Sequence, residues 1–348
     1  MCLTGAAPPA SMGVEAGSCA CLLGPLNIFS CQADSVKITI VAPLLIALLL
    51  SCGSIPARTI EQKYAGGESR FLDVMGMRVH YRDEGTGPAI VLLHGMLSSL
   101  HTWDGWTAVL KNNYRVIRID MPGFGLTGAP SDRFEYTADM MLVALDAIFA
   151  ALRLDRFTLG GNSLGGYFSW RYAALHPERI ERVILIDAVG YPQEVPGPIS
   201  LMTAPMIGSL ATVITPQFIV NHYIKQVYGD EKRLTPEVAN RYYELLMREG
   251  NREACRKILL VMKAQAADPS LGSGIASLES NSIPVLVMWG ARDTWVPPVL
   301  LERWKKDLPR ARFVVFDDAS HVLMEEIPER SVAEALEFLA TTKAHGSE

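Results

Sequence analysis

Short, continuously apolar runs alternate with longer stretches of helical periodicity along most of this chain. A strand that is apolar on both faces needs cover on both faces, and parallel strands need crossover connections that are usually helices. The alternation therefore predicts an α/β fold with a mostly parallel, eight-stranded sheet between helices. The predicted strands are residues 71–75, 77–82, 89–93, 114–119, 157–159, 183–186, 285–289 and 313–316. Predicted helices around them are residues 138–152, 165–176, 299–308 and 328–341.

The alternation breaks once, between Gly190 and Ser282, where helical patterns follow one another without an intervening strand. The helical stretches are residues 199–214, 217–228, 236–248 and 252–266. We therefore expect residues 193–280 to form a helical cap inserted before the last two strands, above the carboxyl edge of the sheet. The core then consists of residues 69–192 and 281–348.

An apolar run over residues 38–50 follows Lys37 and ends at Ser51-Cys52-Gly53. A positive residue followed by a short apolar stretch and then by small residues predicts a signal segment. The apolar run is shorter than a helix needs to be to span a bilayer. Its end is similar to the lipobox of bacterial lipoproteins. The similarity implies acylation of Cys52 and a lipid-anchored protein of the bacterial cell envelope, at the outer membrane or in the periplasm. An uncleaved membrane anchor is the alternative. Both predict membrane association through residues 1–52, and residues 53–68 are expected to form a tether.

This signal would normally stand at the start of a chain, whereas 35 residues precede Val36. Our hypothesis is that translation starts at Val36 from an alternative start codon and that residues 1–35 are not translated.

Composition excludes some classes of function. The net charge of −5 is mild and the basic residues are scattered, so nucleic acid is not an expected partner. Five of the six cysteines precede residue 53, which leaves Cys255 alone in the body. The body therefore cannot hold an internal disulfide, and Cys255 is expected to be a small buried side chain.

The segment Gly161-Asn162-Ser163-Leu164-Gly165 follows a predicted strand and opens a predicted helix. This is the context in which G-x-S-x-G forms a nucleophile elbow, with small residues on both sides because the strand and the helix approach closely. Ser163 is the candidate nucleophile. The Leu164 N–H is a candidate donor to an oxyanion.

A buried strand ending in His94-Gly95 supplies the second candidate donor, the Met96 N–H, on the loop that follows it. His94 is expected to bond within this loop rather than act as a base. Trp103 and Trp106 are expected to pack beneath the loop or to line the pocket.

His321 follows the last predicted strand, above the sheet edge where Ser163 lies, and is the candidate base. Asp293, on the turn after the preceding strand, is the candidate acid that would orient it, and Asp187 is the rival because it also ends a strand. Asp317 and Asp318 are expected to cap a turn. The order Ser, Asp, His along the chain fits the predicted fold.

These motifs, together with Asp120-Met121-Pro122-Gly123-Phe124-Gly125 and Gly290-Ala291-Arg292-Asp293, resemble α/β-hydrolase fold serine hydrolases. The likeness covers most of residues 70–340. Within that fold the chain resembles family V of the bacterial lipolytic enzymes and is also similar to monoacylglycerol-lipase-like hydrolases. This likeness implies hydrolysis of short- to medium-chain carboxylic esters through an acyl-enzyme, with no metal or organic cofactor and with a small-molecule or lipid ester as substrate.

Several alternatives stay open. Carbon–carbon hydrolases of ring-cleavage products use a similar Gly-Asn-Ser elbow but usually carry His-Gly-x-Gly-Pro-Gly, where this chain has His94-Gly95-Met96-Leu97-Ser98-Ser99. A non-catalytic, ligand-binding member of the fold is a further possibility. The aliphatic run 201–214 suits either an acyl pocket or the packing of the cap onto the core. The sequence leaves the oligomeric state open.

Overall fold

A computed structural model describes residues 53–131, 133–342 and 345, and the expected signal segment and Cys52 lie outside them. Eight strands form one sheet in the order β1-β2-β4-β3-β5-β6-β7-β8. The strands are β1 (Ser69–Val74), β2 (Met77–Glu84), β3 (Ala89–Leu93), β4 (Arg115–Ile119), β5 (Phe157–Asn162), β6 (Ile180–Ile186), β7 (Val285–Gly290) and β8 (Arg312–Phe316). All eight predicted strands are confirmed.

The sheet is parallel from β4 through β8, and β1 and β2 form an antiparallel edge. Every residue of β5 and β7 is buried, which requires cover on both faces of the sheet. The carboxyl ends of β3, β5, β6 and β7 therefore lie side by side at one edge of the sheet. In such sheets this edge is where ligands bind.

Thirteen α-helices surround and extend the sheet in the described part of the chain. They are α1 (Ala57–Tyr64), α2 (Asp104–Leu110), α3 (Ala138–Ala151), α4 (Leu164–Leu175), α5 (Gly197–Thr203), α6 (Pro205–Ala211), α7 (Gln217–Lys225), α8 (Pro236–Met247), α9 (Asn251–Ala267), α10 (Ala276–Ser280), α11 (Leu301–Asp307), α12 (Leu323–Glu326) and α13 (Pro328–Thr341). Helices α5 to α10 lie between β6 and β7, so the helical insertion precedes the last two strands, as predicted.

The single helix predicted over residues 199–214 is wrong, because the structure divides it into α5 and α6. Ala204 between them is extended, with φ −63° and ψ 135°. Proline disfavours the helical conformation in the residue before it, and Pro205 follows Ala204 directly. The break gives the cap two short helices in place of one long one.

The tether expected over residues 53–68 is also wrong for most of that stretch. Ile55 N donates to Met247 O at 2.8 Å, and Glu249 N donates to Ile55 O at 2.9 Å. Helix α1 then packs Ile60 into a small apolar cluster with Leu126 and Leu245, where Ile60 is only 1% exposed. The apolar residues in this segment dock it onto the body, so it does not behave as a free linker.

Glu325 ties the cap to the core. Its carboxylate accepts from Tyr228 Oη at 2.7 Å, from Tyr242 Oη at 3.1 Å and from Arg241 Nη2 at 2.6 Å. These three partners belong to the cap, whereas Glu325 lies on α12, next to the loop that follows β8. The network holds the cap above the edge where β5 ends.

Two smaller observations complete the fold. No helix within residues 53–131 and 133–342 is both long and apolar enough to cross a bilayer.

Cys255 is a free, buried thiol, as expected, and burial raises its pKa to about 12.

Candidate active site

Ser163 stands between β5 and α4 in a strained backbone conformation, with φ 54° and ψ −113°. The turn closes only because its neighbours lack side chains. A Cβ built on Gly161 would lie 2.3 Å from Gly165 C, and one built on Gly165 would lie 2.2 Å from Leu93 O. The local sequence therefore forces the serine to the tip of a sharp strand-to-helix turn, as the elbow pattern predicts.

Asp293 and His321 are brought together by the loops after β7 and β8. His321 Nδ1 lies 2.7 Å from Asp293 Oδ2, and both side chains are buried. The other carboxylate oxygen, Asp293 Oδ1, accepts from Trp295 N at 2.7 Å and from Val296 N at 3.0 Å. The carboxylate is thus fixed by its own loop and leaves one oxygen for the imidazole, which selects the tautomer with the proton on Nδ1.

The backbone of the His321 loop is anchored by two side chains to which sequence reasoning assigned no role. Asn162 Nδ2 donates to His321 O at 2.8 Å, so the residue before the nucleophile also positions the base. Buried Glu326 accepts from Ser320 N at 2.8 Å through Oε2. Asn162 lies inside the elbow motif and could have been noticed there. Glu326 has no local sequence signal, because its partner is recognisable only once the loop has folded.

Asp187, the rival acid, is fully buried and also has a positive φ, 46°. Its Oδ1 accepts from Gly290 N at 2.8 Å. Burial, followed by the negative charge of Asp293, raises its pKa well above the usual range of an aspartate. The structure therefore gives the contact with His321 to Asp293, and it places Asp187 beside Asp293 in a form that favours the neutral acid.

The two candidate oxyanion donors lie on segments that flank Ser163. Leu164 is the first residue of α4, so its N–H has no acceptor within the helix. The loop that carries Met96 passes close to the nucleophile, since a Cβ built on Gly95 would lie 3.3 Å from Ser163 Cβ. Met96, Leu164 and Ser163 all line one cavity. This arrangement supports both predicted donors.

His94 has the structural role expected of it. Its Nε2 accepts from Met121 N at 3.0 Å, so Nδ1 carries the proton and donates to Gly95 O at 2.7 Å. Complete burial lowers its pKa, which keeps the ring neutral. His94 therefore shapes the loop that precedes Met96 and takes no part in proton transfer.

A cavity of about 400 Å³ lies above Ser163 and His321, within the range of small-molecule sites. Its walls are mostly aliphatic and come mostly from the cap. They include Met202, Ile207, Leu210, Ile214, Ile219 and Ile224. Trp295 also lines the cavity and stacks near His321, with ring centroids 6.4 Å apart. The site can therefore receive an apolar group next to a nucleophile.

Other predicted residues lie elsewhere. Trp103 and Trp106 are fully buried, pack edge to face at 5.2 Å and do not line the cavity. The Asp318 carboxylate, expected to cap a turn, pairs with Arg233 and Arg330. Hydrogen bonds from those two arginines lower its pKa to about 2.

The aliphatic run 201–214 both lines the cavity and packs the cap onto the core. Ile207, Leu210 and Ile214 line the cavity, Met202 packs against the core cluster, and Met206 points into solvent. Among the described residues, no group of three His, Cys, Asp or Glu side chains is arranged to hold a metal ion.

Comparisons with known proteins identify the family of the fold. A family model described as alpha/beta hydrolase fold matches residues 88–218 and 223–328. A cis-3-alkyl-4-alkyloxetan-2-one decarboxylase from Shewanella oneidensis is 25% identical over 282 residues, which are 78% of this chain and 88% of that protein. A 2-hydroxymuconate semialdehyde hydrolase from Pseudomonas sp. strain CF600 is 26% identical over 77% of this chain and 93% of its own length. The solved structure of a thermophilic esterase from Thermogutta terrifontis is 25% identical, covers 79% of this chain and 98% of its own, and has a TM-score of 0.65.

Proposed function

The chain belongs to the alpha/beta hydrolase fold family, and from that premise we propose that it is a serine hydrolase of carboxylic esters with short to medium acyl chains. The observation that carries this proposal is the apolar cavity into which Ser163 and the Asp293-bound His321 both open. An aliphatic acyl group fits such walls, and the ester carbonyl would then meet the nucleophile at the cavity floor.

The proposed mechanism begins at Ser163. Ser163 Oγ attacks the ester carbonyl carbon while His321 Nε2 takes the hydroxyl proton. The resulting oxyanion accepts from the N–H groups of Met96 and Leu164, and losing one such donor typically costs ~3 kcal/mol of barrier. His321 then returns the proton to the leaving alcohol, which leaves an acyl group on Ser163.

Water completes the cycle. His321 removes a proton from a water molecule that attacks the acyl carbon, and the collapse of the second tetrahedral intermediate releases the acid and restores the Ser163 hydroxyl. Asp293 stabilises the imidazolium that forms in both halves of the cycle.

A fluorophosphonate probe and a panel of p-nitrophenyl esters test the proposal. The probe should label the wild type and not Ser163→Ala, and hydrolysis should favour acyl chains shorter than about ten carbons. A folded wild type that resists the probe would favour the ligand-binding alternative. A sharp optimum at long chains would contradict the proposed chain length.

A carbon–carbon hydrolase of ring-cleavage products is the second candidate, and one structural observation favours it besides the Pseudomonas relative. Arg256 lines the cavity, and its buried Nε has no hydrogen-bond partner among the described residues. A guanidinium in that place would suit the carboxylate of a dienoate substrate. Turnover of such a substrate that exceeds ester hydrolysis and falls in Arg256→Met would favour this candidate.

We also propose that the chain is held at the membrane of the bacterial cell envelope through residues 38–52, with Cys52 as the acylated residue. N-terminal mass spectrometry of the native protein tests this proposal. An acylated Cys52 as the first residue supports it, and a peptide from before Val36 would contradict the start proposed at Val36.

A further inference from the structure

Large apolar side chains are exposed on one part of the cap. Among the described residues, thirteen large hydrophobic side chains are exposed, and seven of them fall between residues 201 and 219. We call these seven the exposed cap surface: Leu201, Met206, Ile207, Leu210, Val213, Phe218 and Ile219. Met206 is 87% exposed and Phe218 is 62% exposed. An apolar group of this size on a protein surface usually marks a site of interaction.

The same segment lacks charge. Residues 195–224 contain no Asp, Glu, Lys or Arg, although charged residues make up 20% of the chain. Exposed surface of water-soluble folds is normally rich in these residues, and charge is excluded where a surface enters an apolar phase. The composition therefore points to an apolar partner.

The exposed cap surface is continuous with the cavity. Leu201, Ile207, Leu210 and Ile219 are exposed and also line the cavity that holds Ser163. Met206, Val213 and Phe218 are exposed without lining it. The cavity therefore opens through the surface, and a molecule that leaves an apolar phase there need not cross water to reach the nucleophile.

The contacts of Gly53 and Ser54 with the body point to the kind of apolar phase involved. Arg252 donates to Gly53 O at 3.1 Å and to Ser54 Oγ at 2.9 Å, and it also donates to Val213 O at 2.8 Å. The chain thus reaches the body directly beside the exposed cap surface. Only Ser51 and Cys52 separate Gly53 from the apolar run 38–50 in the sequence.

We propose that the exposed cap surface docks on a phospholipid bilayer, into which the neighbouring apolar run or an acylated Cys52 inserts. This inference rests on the membrane attachment proposed above and is independent of the reaction that Ser163 carries out. It sets an orientation in which the mouth of the cavity faces the lipid, because the attachment point and the apolar side chains lie on the same side of the body.

Photolabelling of the full chain tests the proposal. The Ser163→Ala chain is reconstituted in vesicles of phosphatidylethanolamine and phosphatidylglycerol that contain a diazirine-bearing phosphatidylcholine, and lipid adducts are mapped by mass spectrometry. Adducts on residues 206–219 should exceed those on Leu175 on the order of tenfold. Leu175 is a matched reference because it is 59% exposed. It is the last residue of α4, which starts directly after Ser163 and runs to the edge of the sheet opposite the active site.

Adducts confined to residues 38–52 would overturn the proposal, because the chain would then be membrane-bound with its cap away from the lipid. Protection of residues 206–219 by a second copy would overturn it as well, and it would be seen as a loss of lipid adducts there together with crosslinks between two chains from an added bifunctional photo-crosslinker. Because the nucleophile is absent from this experiment, neither result depends on the proposed ester hydrolysis.

A kinetic measurement separates docking from catalysis. In the Met206→Glu/Phe218→Glu variant, hydrolysis of a soluble p-nitrophenyl ester should equal that of the wild type, because neither side chain lines the cavity. Hydrolysis of an ester with the same acyl chain embedded in the vesicles should fall about tenfold, and Leu175→Glu should leave both rates unchanged. Equal hydrolysis of the embedded ester by wild type and double variant would contradict the proposal.

Discussion

The carboxyl groups of Asp187 and Asp293 lie side by side in the core, yet only Asp293 contacts His321, at 2.7 Å from Oδ2 to Nδ1. Asp293 is held by two N–H groups of its own loop, whereas Asp187 receives one N–H, from Gly290. Two adjacent buried carboxyl groups do not both ionise readily. The raised pKa of Asp187 favours its neutral form beside Asp293.

The first prediction concerns the identity of the acid. Asp293→Asn should lower kcat by about 10⁴-fold, because an amide cannot stabilise the His321 imidazolium and favours the wrong tautomer. Asp187→Asn is the matched control, since its amide oxygen can still accept from Gly290 N. It should keep kcat within the order of magnitude of the wild type. Equal losses in the two variants, measured with a soluble p-nitrophenyl ester, would contradict the assignment to Asp293.

The second prediction concerns pH. Burial and the charge of Asp293 raise the pKa of Asp187 above the unfolded value of about 3.9. The native state therefore binds more protons than the unfolded state above about pH 4, so the free energy of unfolding falls as pH rises through this window. Asp187→Asn removes this dependence. The unfolding free energy of Asp187→Asn, measured by urea denaturation, should therefore increase relative to that of the wild type by up to about 1.4 kcal/mol per pH unit. If the difference in unfolding free energy between the two proteins is constant from pH 4 to 8, the Asp187 pKa is not raised.

The third prediction concerns the elbow. Gly161→Ala places a methyl group 2.3 Å from backbone atoms of Gly165, which cannot move without separating β5 from α4. We expect a loss of unfolding free energy of about 1–3 kcal/mol and a large loss of activity. Gly67→Ala is the control, because a Cβ there meets no atom within 4 Å. Comparable stability of the two variants in thermal denaturation would show that the turn is less crowded than the structure indicates.

The fourth prediction concerns the anchor of the cap. Glu325→Ala leaves Arg241, which is largely buried, without its carboxylate and removes the acceptor of two tyrosine hydroxyls. The free energy of unfolding should fall by about 3 kcal/mol. Glu302→Ala, which breaks the exposed pair with Lys305, should change it by less than about 0.5 kcal/mol. Urea denaturation compares the two, and similar small changes would mean that the Glu325 network does not hold the cap.

Local patterns sufficed for much of the fold and for part of the candidate site. The eight strands could be predicted because a short apolar run bounded by turn residues indicates a buried strand, and this pattern involves only neighbouring positions in the sequence. The elbow at Ser163 could be predicted because its strain requires Gly161 and Gly165 at fixed offsets. The places of His321 and Asp293 followed from chain order, since parallel strands bring their carboxyl ends to one edge.

The sequence by itself therefore determined the order of strands along the chain, the insertion of the cap, and the serine, the histidine and the two rival aspartates that suit Ser-His-Asp chemistry. Only the tertiary structure decided which of two aspartates contacts His321, that Glu326 anchors the histidine loop, that residues 55–64 dock on the body, and that Met206 and Phe218 face outward. The physical reason is that these outcomes depend on contacts between residues far apart in the chain and on the burial that those contacts create. The periodicity of one segment predicts which side of a helix or strand is apolar. It does not predict which other element packs against that side, because this depends on the rest of the fold.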